Sequence, residues 1–234
     1  MQTNTISYVI DNEINKVIYT KNINKHLIKD INILKSDQRI LFIYDKNISK
    51  KYTDEIKSTL KLTGNIFFSK EIEGKKNNKN LGNLLKLFDQ LIKNKFTKNS
   101  IIISCGGGVV GDMCGLLSSL YLRGTIYFHI PTTMTAIVDS CIGGKTSINF
   151  YNHKNQLGNF NPPKKIFVDT THVVTELDHP RVYYTIKPEV GFVICGYSNT
   201  CFVLKDDADL DTERLFIFND KENEKLERKN SEQI

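Results

Sequence analysis

Residues 101–115 read Ile-Ile-Ile-Ser-Cys-Gly-Gly-Gly-Val-Val-Gly-Asp-Met-Cys-Gly, a β-branched run that breaks into three glycines and then resumes a helical pattern. The run at 101–104 is the signature of a strand covered on both faces. Glycines 106–108 permit positive φ and close backbone approach, and a helix starting there turns free N–H groups and its positive dipole end toward an incoming anion. A dinucleotide pyrophosphate fits such a turn, and so does a tight turn that merely requires glycine. Asp112 falls in the expected first helical turn, where the dipole favours a carboxylate whatever its function.

Working back toward the N-terminus, Ile40–Tyr44 is a second continuous apolar run. It ends in Asp45-Lys46-Asn47, read as a helix start, and Ile48, Tyr52, Ile56 and Leu60 then recur every four residues. Gly64 stops that helix before the strand-like Ile66–Phe68, and Gly74–Asn80 is a loop rich in Lys and Asn. Leu81, Leu84, Leu85, Phe88, Leu91 and Ile92 trace an amphipathic helical face. Ile6–Ile10 and Val17–Tyr19 read as strands with a turn at Asn12-Glu13. This alternation predicts an α/β fold built on a parallel, helix-covered sheet, with ligands beyond the carboxyl ends of its strands.

Working forward, a helix over 113–122 leads to Arg123-Gly124, a strand at Ile126–Ile130 and Pro131-Thr132-Thr133, whose hydroxyls suit a ribose or a nicotinamide amide. Then comes Val-Asp-Ser-Cys-Ile-Gly-Gly-Lys-Thr-Ser-Ile-Asn at 138–149. A P-loop would need Gly at 139, which is Asp, so the string argues against a nucleotide triphosphatase. His153-Lys154-Asn155 supplies a second Lys beside an amide, and Ile166–Val168 with Asp169 closes the pattern. Lys145, Lys154, Arg123 and Asn155 together suit an anionic small substrate, although each Lys alone reads as a solvated surface charge.

The chain has 234 residues, 40% of them hydrophobic, which is enough for an ordinary enzyme core. Its formal charge of +6 comes mostly from lysine, with only five arginines (39, 123, 181, 214, 228), and the basic residues are spread throughout. That distribution points to compositional bias and away from a nucleic-acid partner. Five cysteines at irregular spacing form neither a disulfide framework nor a zinc motif. No apolar run is long enough to span a bilayer and the first residues carry no signal-peptide pattern, so a soluble, reducing, cytoplasmic setting is expected.

The strings Gly-Gly-Gly-Val-Val-Gly-Asp (106–112), Tyr-Leu-Arg-Gly (121–124), Pro-Thr-Thr (131–133), the 138–149 segment and Lys-Asn-Gln-Leu-Gly-Asn-Phe (154–160) resemble 3-dehydroquinate synthase. The resemblance runs from about residue 6 to about 176 and is clearest from 99 to 169. Glycerol dehydrogenases and iron-type alcohol dehydrogenases share the glycine loop but lack the later strings. Cyclases of other sugar phosphates usually differ at Gly-Gly-Lys-Thr.

The resemblance implies a Rossmann-like NAD-binding domain. Asp45 and Asn47 match positions reaching the adenosine ribose, and Lys79 a basic residue of the adenine-side loop, whose usual glutamate is replaced by Lys76 or displaced to Glu73. Gly107, Gly108 and Asp112 match pyrophosphate and ribose positions, Thr132 and Thr133 the nicotinamide side, and Thr175 a further cofactor contact. Asp139, Lys145, Lys154 and Asn155 match substrate positions, with the two lysines also near the cofactor. Arg123 matches a phosphate contact supplied across a homodimer interface. The implied reaction oxidises the C5 alcohol of 3-deoxy-D-arabino-heptulosonate 7-phosphate, expels phosphate, returns the hydride and closes the ring by an aldol step. Zn²⁺ or Co²⁺ would polarise the alcohol.

The resemblance stops at the metal. Family members carry a glutamate and two late histidines in a long helical domain. Here Pro188-Glu189-Val190 is the nearest match, making Glu189 a weak ligand, and all five histidines (26, 129, 153, 172, 179) precede residue 180. The expected division is 1–170 as the NAD-binding domain, 171–219 as a divergent, β-rich remnant of a largely missing helical domain, and 220–234 as a charged tail. A disrupted coding sequence accounts for the remnant better than a functional β replacement, because no hairpin turn chemistry is evident there. A catalytically dead NAD-binding fragment is the alternative to an active enzyme, with a related cyclase or a glycerol-dehydrogenase-like enzyme behind it.

Overall fold

The computed structural model describes residues 4–10, 13–34, 39–151, 153–169, 171–172, 192–194 and 201–203. The chain divides into two compact units, Met1–Val174 and Thr175–Ile234.

In the first unit, strands β1 (Asn4–Ile10), β2 (Glu13–Thr20), β3 (Arg39–Asp45), β4 (Ile66–Ile72), β5 (Ile101–Gly106), β6 (Ile126–Pro131) and β9 (Lys165–Asp169) form one sheet in the order β1-β2-β9-β6-β5-β3-β4. Only β1 with β2 is antiparallel; the other neighbours are parallel, as the alternating pattern predicts. A second ladder pairs β7 (Lys145–Phe150) with β8 (His153–Phe160) as a hairpin. Helices α1 (Ile23–Asn32), α2 (Lys50–Lys61), α3 (Leu81–Lys93) and α4 (Gly108–Leu120) supply the crossovers.

The both-face burial read from β3 and β5 holds: Ile40 to Ile43 and Ile101 to Ile103 are all fully buried. Alternate residues serve opposite layers. Ile40, Phe42, Ile101 and Ile103 pack with Leu27 and Ile31 of α1 and Ile56 and Leu60 of α2. Leu41, Ile43 and Ile102 pack with Leu84, Leu87 and Leu91 of α3 and Met113 and Leu117 of α4. Side chains of period two thus meet helices on both sides, which is why each strand carries an unbroken apolar run, and the polar Ser104 that follows in β5 is buried only with hydrogen-bond partners.

Three local expectations are corrected. Asp45-Lys46-Asn47 does not start α2: the Asp45 carboxylate accepts the Asn47 N–H at 3.0 Å, closing an Asx turn, and the helix begins after Ser49. On α3 the buried line is Leu84, Leu87 and Leu91, while Leu85 and Ile92 are 56% and 65% exposed. Adjacent leucines satisfy the helical period equally well, and the position of the sheet beneath chooses between them. Asp112 is not in the first turn of α4, because Gly107 is the N-cap and the turn from Gly108 contains no acidic residue.

Strand β3 lies between β4 and β5. The chain leaves β3 through α2 to β4 on one side and returns through α3 to β5 on the other. The crevice beyond the carboxyl ends of β3 and β5 is therefore the topological switch point of the sheet, with Asp45 on one lip and Gly106 on the other.

In the second unit, β10 (Phe192–Ile194) pairs antiparallel with β11 (Cys201–Val203). An antiparallel pair therefore forms where the sequence carries no short turn signature. The expected strands at Tyr183-Tyr184 and Leu215–Phe218 lie outside the described residues.

Candidate functional site

None of glycines 106–108 takes the positive φ that glycine permits, and it is the close backbone approach that the turn uses. Gly107 caps α4 without a side chain, so the first N–H groups of the helix have no side-chain acceptor. A Cβ on Gly107 would stand 3.3 Å from Thr133 Cγ2, so the backbone here lies tight against the segment after β6, whereas Gly108 faces open space. Thr132 is bound through its backbone N–H to the Gly106 carbonyl at 3.0 Å. Thr133 uses its hydroxyl to accept the Ala136 N–H at 3.2 Å, as N-cap of the short helix α5 (Met134–Ala136). Its hydroxyl is thus committed to the fold, with its methyl against Gly107.

Helix α5 runs into a π-helical turn, Ile137–Ile142, closed by Gly143 N–H to the Val138 carbonyl at 2.8 Å. Such turns widen the helix and re-aim its side chains. Here the turn carries Asp139, whose carboxylate lies 3.7 Å from the ammonium of Lys145 on β7.

Lys79, Asp112 and Asn155, far apart in sequence, converge. The Lys79 ammonium bonds the Asp112 carboxylate and donates to Asn155 Oδ1 at 2.6 Å. Ser147 donates to the same oxygen at 3.1 Å. Lys79 is only 7% exposed, so its charge has few competitors for these partners. Burial outweighs the attraction of Lys79 and pushes the Asp112 carboxyl up to about 6, with Asp139 adding to the rise.

Asp45 also holds the Asn47 side chain at 3.1 Å, and its carboxylate lies directly over Gly74, leaving no space for a Cβ there. Beside it, Glu73 bridges Lys46 and Lys75, each at 2.7 Å. These two ammonium groups hold the Glu73 carboxyl well down, to about 2. Lys76 is exposed and lies apart from this bridge. Lys154 lies on the fully exposed strand β8. Arg123 is exposed in a run of positive-φ residues, Leu122 (φ 50°), Arg123 (φ 63°) and Gly124 (φ 114°). Thr175 and Glu189 lie outside the described residues. Among those described, no three His, Cys, Asp or Glu side chains gather as a metal site.

Residues that sequence reasoning passed over complete the site. Behind the glycine turn, the His129 imidazole bonds Ser104 through Nδ1, and Tyr127 OH bonds Ser104 Oγ at 2.8 Å and the Gly111 carbonyl at 3.2 Å. Burial drives the His129 pKa down to about 3, so the ring is neutral, and its Nε2 is buried with no hydrogen-bond partner. Alternation along β6 was the available signal, since it places residue 129 on a helix-covered face. Ser147 and Asn149 stood within a recognised string, but nothing in their spacing revealed their partners.

Residues 69–182 match the family model of the 3-dehydroquinate synthase N-terminal domain. The chain is 35% identical over 159 residues to the 3-dehydroquinate synthase of Clostridium acetobutylicum, covering 68% of this chain and 45% of that protein. It therefore spans about half the length of the curated relatives it matches. Its fold resembles that of a 2-deoxy-scyllo-inosose synthase crystallised with carbaglucose-6-phosphate, NAD+ and Co2+ (TM-score 0.67, 20% identity, 73% of this chain and 46% of that one). It is also similar to ValA, a 2-epi-5-epi-valiolone synthase from Streptomyces hygroscopicus subsp. jinggangensis with NAD+ and Zn2+ bound (TM-score 0.60, 26% identity, 69% of this chain and 44% of that one). Glycine turn, lysine-carboxylate cluster and π-helical turn all fall inside residues 69–182, the segment that matches the 3-dehydroquinate synthase N-terminal domain.

Proposed function

We propose that this chain supplies the NAD-binding half of a 3-dehydroquinate synthase, a carbon–oxygen lyase that converts 3-deoxy-D-arabino-heptulosonate 7-phosphate to 3-dehydroquinate and inorganic phosphate. The observation that carries the reading is the meeting of Lys79, Asp112 and Asn155 at the mouth of an uncapped helix, beside the Asp139–Lys145 pair.

The residues fit a dinucleotide. The N-terminus of α4 has no side-chain cap and no carboxylate in its first turn, so its N–H groups and dipole are available to a pyrophosphate at Gly107 and Gly108. Asp45, at the end of β3, offers carboxylate acceptors to a ribose across the crevice. NAD, when bound, supplies the hydride acceptor and donor. The protein's own part is positional: Lys145, Lys154 and Asn155 hold the sugar phosphate, and Asp139 orients Lys145. Arg123 reaches the phosphate from a second copy in a homodimer. The Co2+ or Zn2+ bound by those structural relatives finds no donor cluster among the described residues of this chain.

Calorimetric titration of the full chain with NAD tests the reading, followed by phosphate release with NAD, Zn²⁺ or Co²⁺ and the heptulosonate phosphate. Saturable NAD binding with little or no phosphate release from this chain alone is expected. Folded protein that does not bind NAD overturns the proposal, and phosphate release at a sustained rate overturns its restriction to the NAD-binding half.

A further inference from the structure

The β7–β8 ladder is irregular at one place. Ile148 faces Leu157 and Phe150 faces His153, so residues 154–156 bulge out opposite the single residue Asn149. Within the bulge Asn155 has φ +55°, in the left-handed region that asparagine enters more readily than most residues with a side chain. The Asn155 N–H has left the ladder. Asn149 Oδ1 accepts it at 3.1 Å.

The same residue reaches the loop before α3. Asn149 N–H donates to the Lys79 carbonyl at 2.8 Å, and Asn149 Nδ2 donates to the Lys76 carbonyl at 3.0 Å. One asparagine therefore fixes the backbones of both Lys79 and Asn155, whose side chains then meet each other and Asp112. Bulges beside functional sites re-aim side chains, and this one aims Asn155 at a buried ammonium group.

We infer that Asn149 is a positioning residue: by pinning the bulge to the 76–79 loop it sets the Lys79–Asn155–Asp112 constellation and hence the dinucleotide affinity of the crevice. It acts through Asn155 and the Lys79 backbone. The affinity part rests on the NAD reading above; the positioning part does not. Ser147 of the same hairpin reaches the side chains of Asn155 and Asp112, whereas the bonds to the 76–79 loop backbone come from Asn149.

The test uses the full chain as wild type, Asn149→Ala and Asn149→Asp, with three readouts: hydrogen exchange at the Asn155 amide, the Asp112 titration midpoint by carboxyl NMR, and NAD affinity by calorimetry. In the wild type the Asn155 amide exchanges slowly. Asn149→Ala releases it, moves the Asp112 midpoint upward as Lys79 loses its alignment, and weakens NAD binding about tenfold. Asn149→Asp keeps the acceptor for Asn155 and restores the slow exchange. A merely structural asparagine would lower stability in both variants while leaving the Asp112 midpoint in place, and that result overturns the inference. Rapid exchange at Asn155 in the wild type overturns it even if Asn149→Ala fails to fold. If the wild type does not bind NAD but exchange and titration respond as described, the NAD reading fails and the positioning role stands.

Discussion

Gly115 of α4 is packed so closely against Thr146 of β7 that no Cβ fits between them. Thr146 cannot yield, because its hydroxyl is held by Asn159 at 2.6 Å and 3.0 Å through the side-chain and main-chain oxygens. The contact docks the hairpin onto the helix that carries Asp112. Gly115→Ala should therefore destabilise the protein by about 1–3 kcal/mol and weaken NAD binding in parallel. Adding Thr146→Ser removes the clashing methyl and should recover at least half of the loss; a double-mutant cycle by thermal unfolding measures the coupling, and strict additivity would refute it.

Asp112 predicts a pH dependence of defined sign. Its folded pKa, about 6, lies above the ordinary value of 3.8, so the folded state favours the proton. The contribution to stability is complete below pH 3.8 and is lost as pH rises through about 6. Asp112→Asn lacks this loss. Denaturant unfolding should show the stability of Asp112→Asn relative to wild type increasing from pH 4 to pH 7, and a flat difference would count against it.

His129 predicts the opposite slope. Its folded pKa is depressed from 6.5 to about 3, so its stabilisation is complete above pH 6.5 and lost as pH falls toward 3. The size is a few kcal/mol for so large a shift in a buried ring. His129→Gln keeps a polar group for Ser104 yet cannot be protonated, so its acid-unfolding midpoint should fall below that of wild type.

Thr133 tests the cap under the π-helical turn. Thr133→Val preserves the methyl against Gly107 but leaves Ala136 N–H without its acceptor, a cost of about 1 kcal/mol. Thr133→Ser retains the cap. Calorimetric melting should order the proteins as wild type and Thr133→Ser above Thr133→Val.

How much could be read beforehand depended on whether a residue's partner was near it in sequence. The strands at Ile40–Ile43 and Ile101–Ile103 were legible because burial on both faces leaves an unbroken apolar run. The glycine turn was legible as a turn because three glycines stand between a buried strand and a helical pattern. The first residue of α4 was not, since Gly107 and Gly108 fit the cap position equally and only the backbone selects Gly107. The commitment of Thr133 to α5 was hidden behind a hydroxyl that suits ligand and cap alike. The Lys79–Asn155 contact joins residues 76 positions apart, and no local pattern encodes it.

The strand order has a consequence for the newborn chain. β2, among the first segments made, finds its parallel partner only in β9, with Lys16 beside Lys165 and Thr20 beside Asp169. β9 is also what joins β2 to β6. Until residue 169 has left the ribosome, the early hairpin of β1 and β2 has no sheet to join, and the outer edge of β6 stays unpaired. Throughout that interval two strand edges stand open, the condition under which a partly folded chain is prone to aggregate.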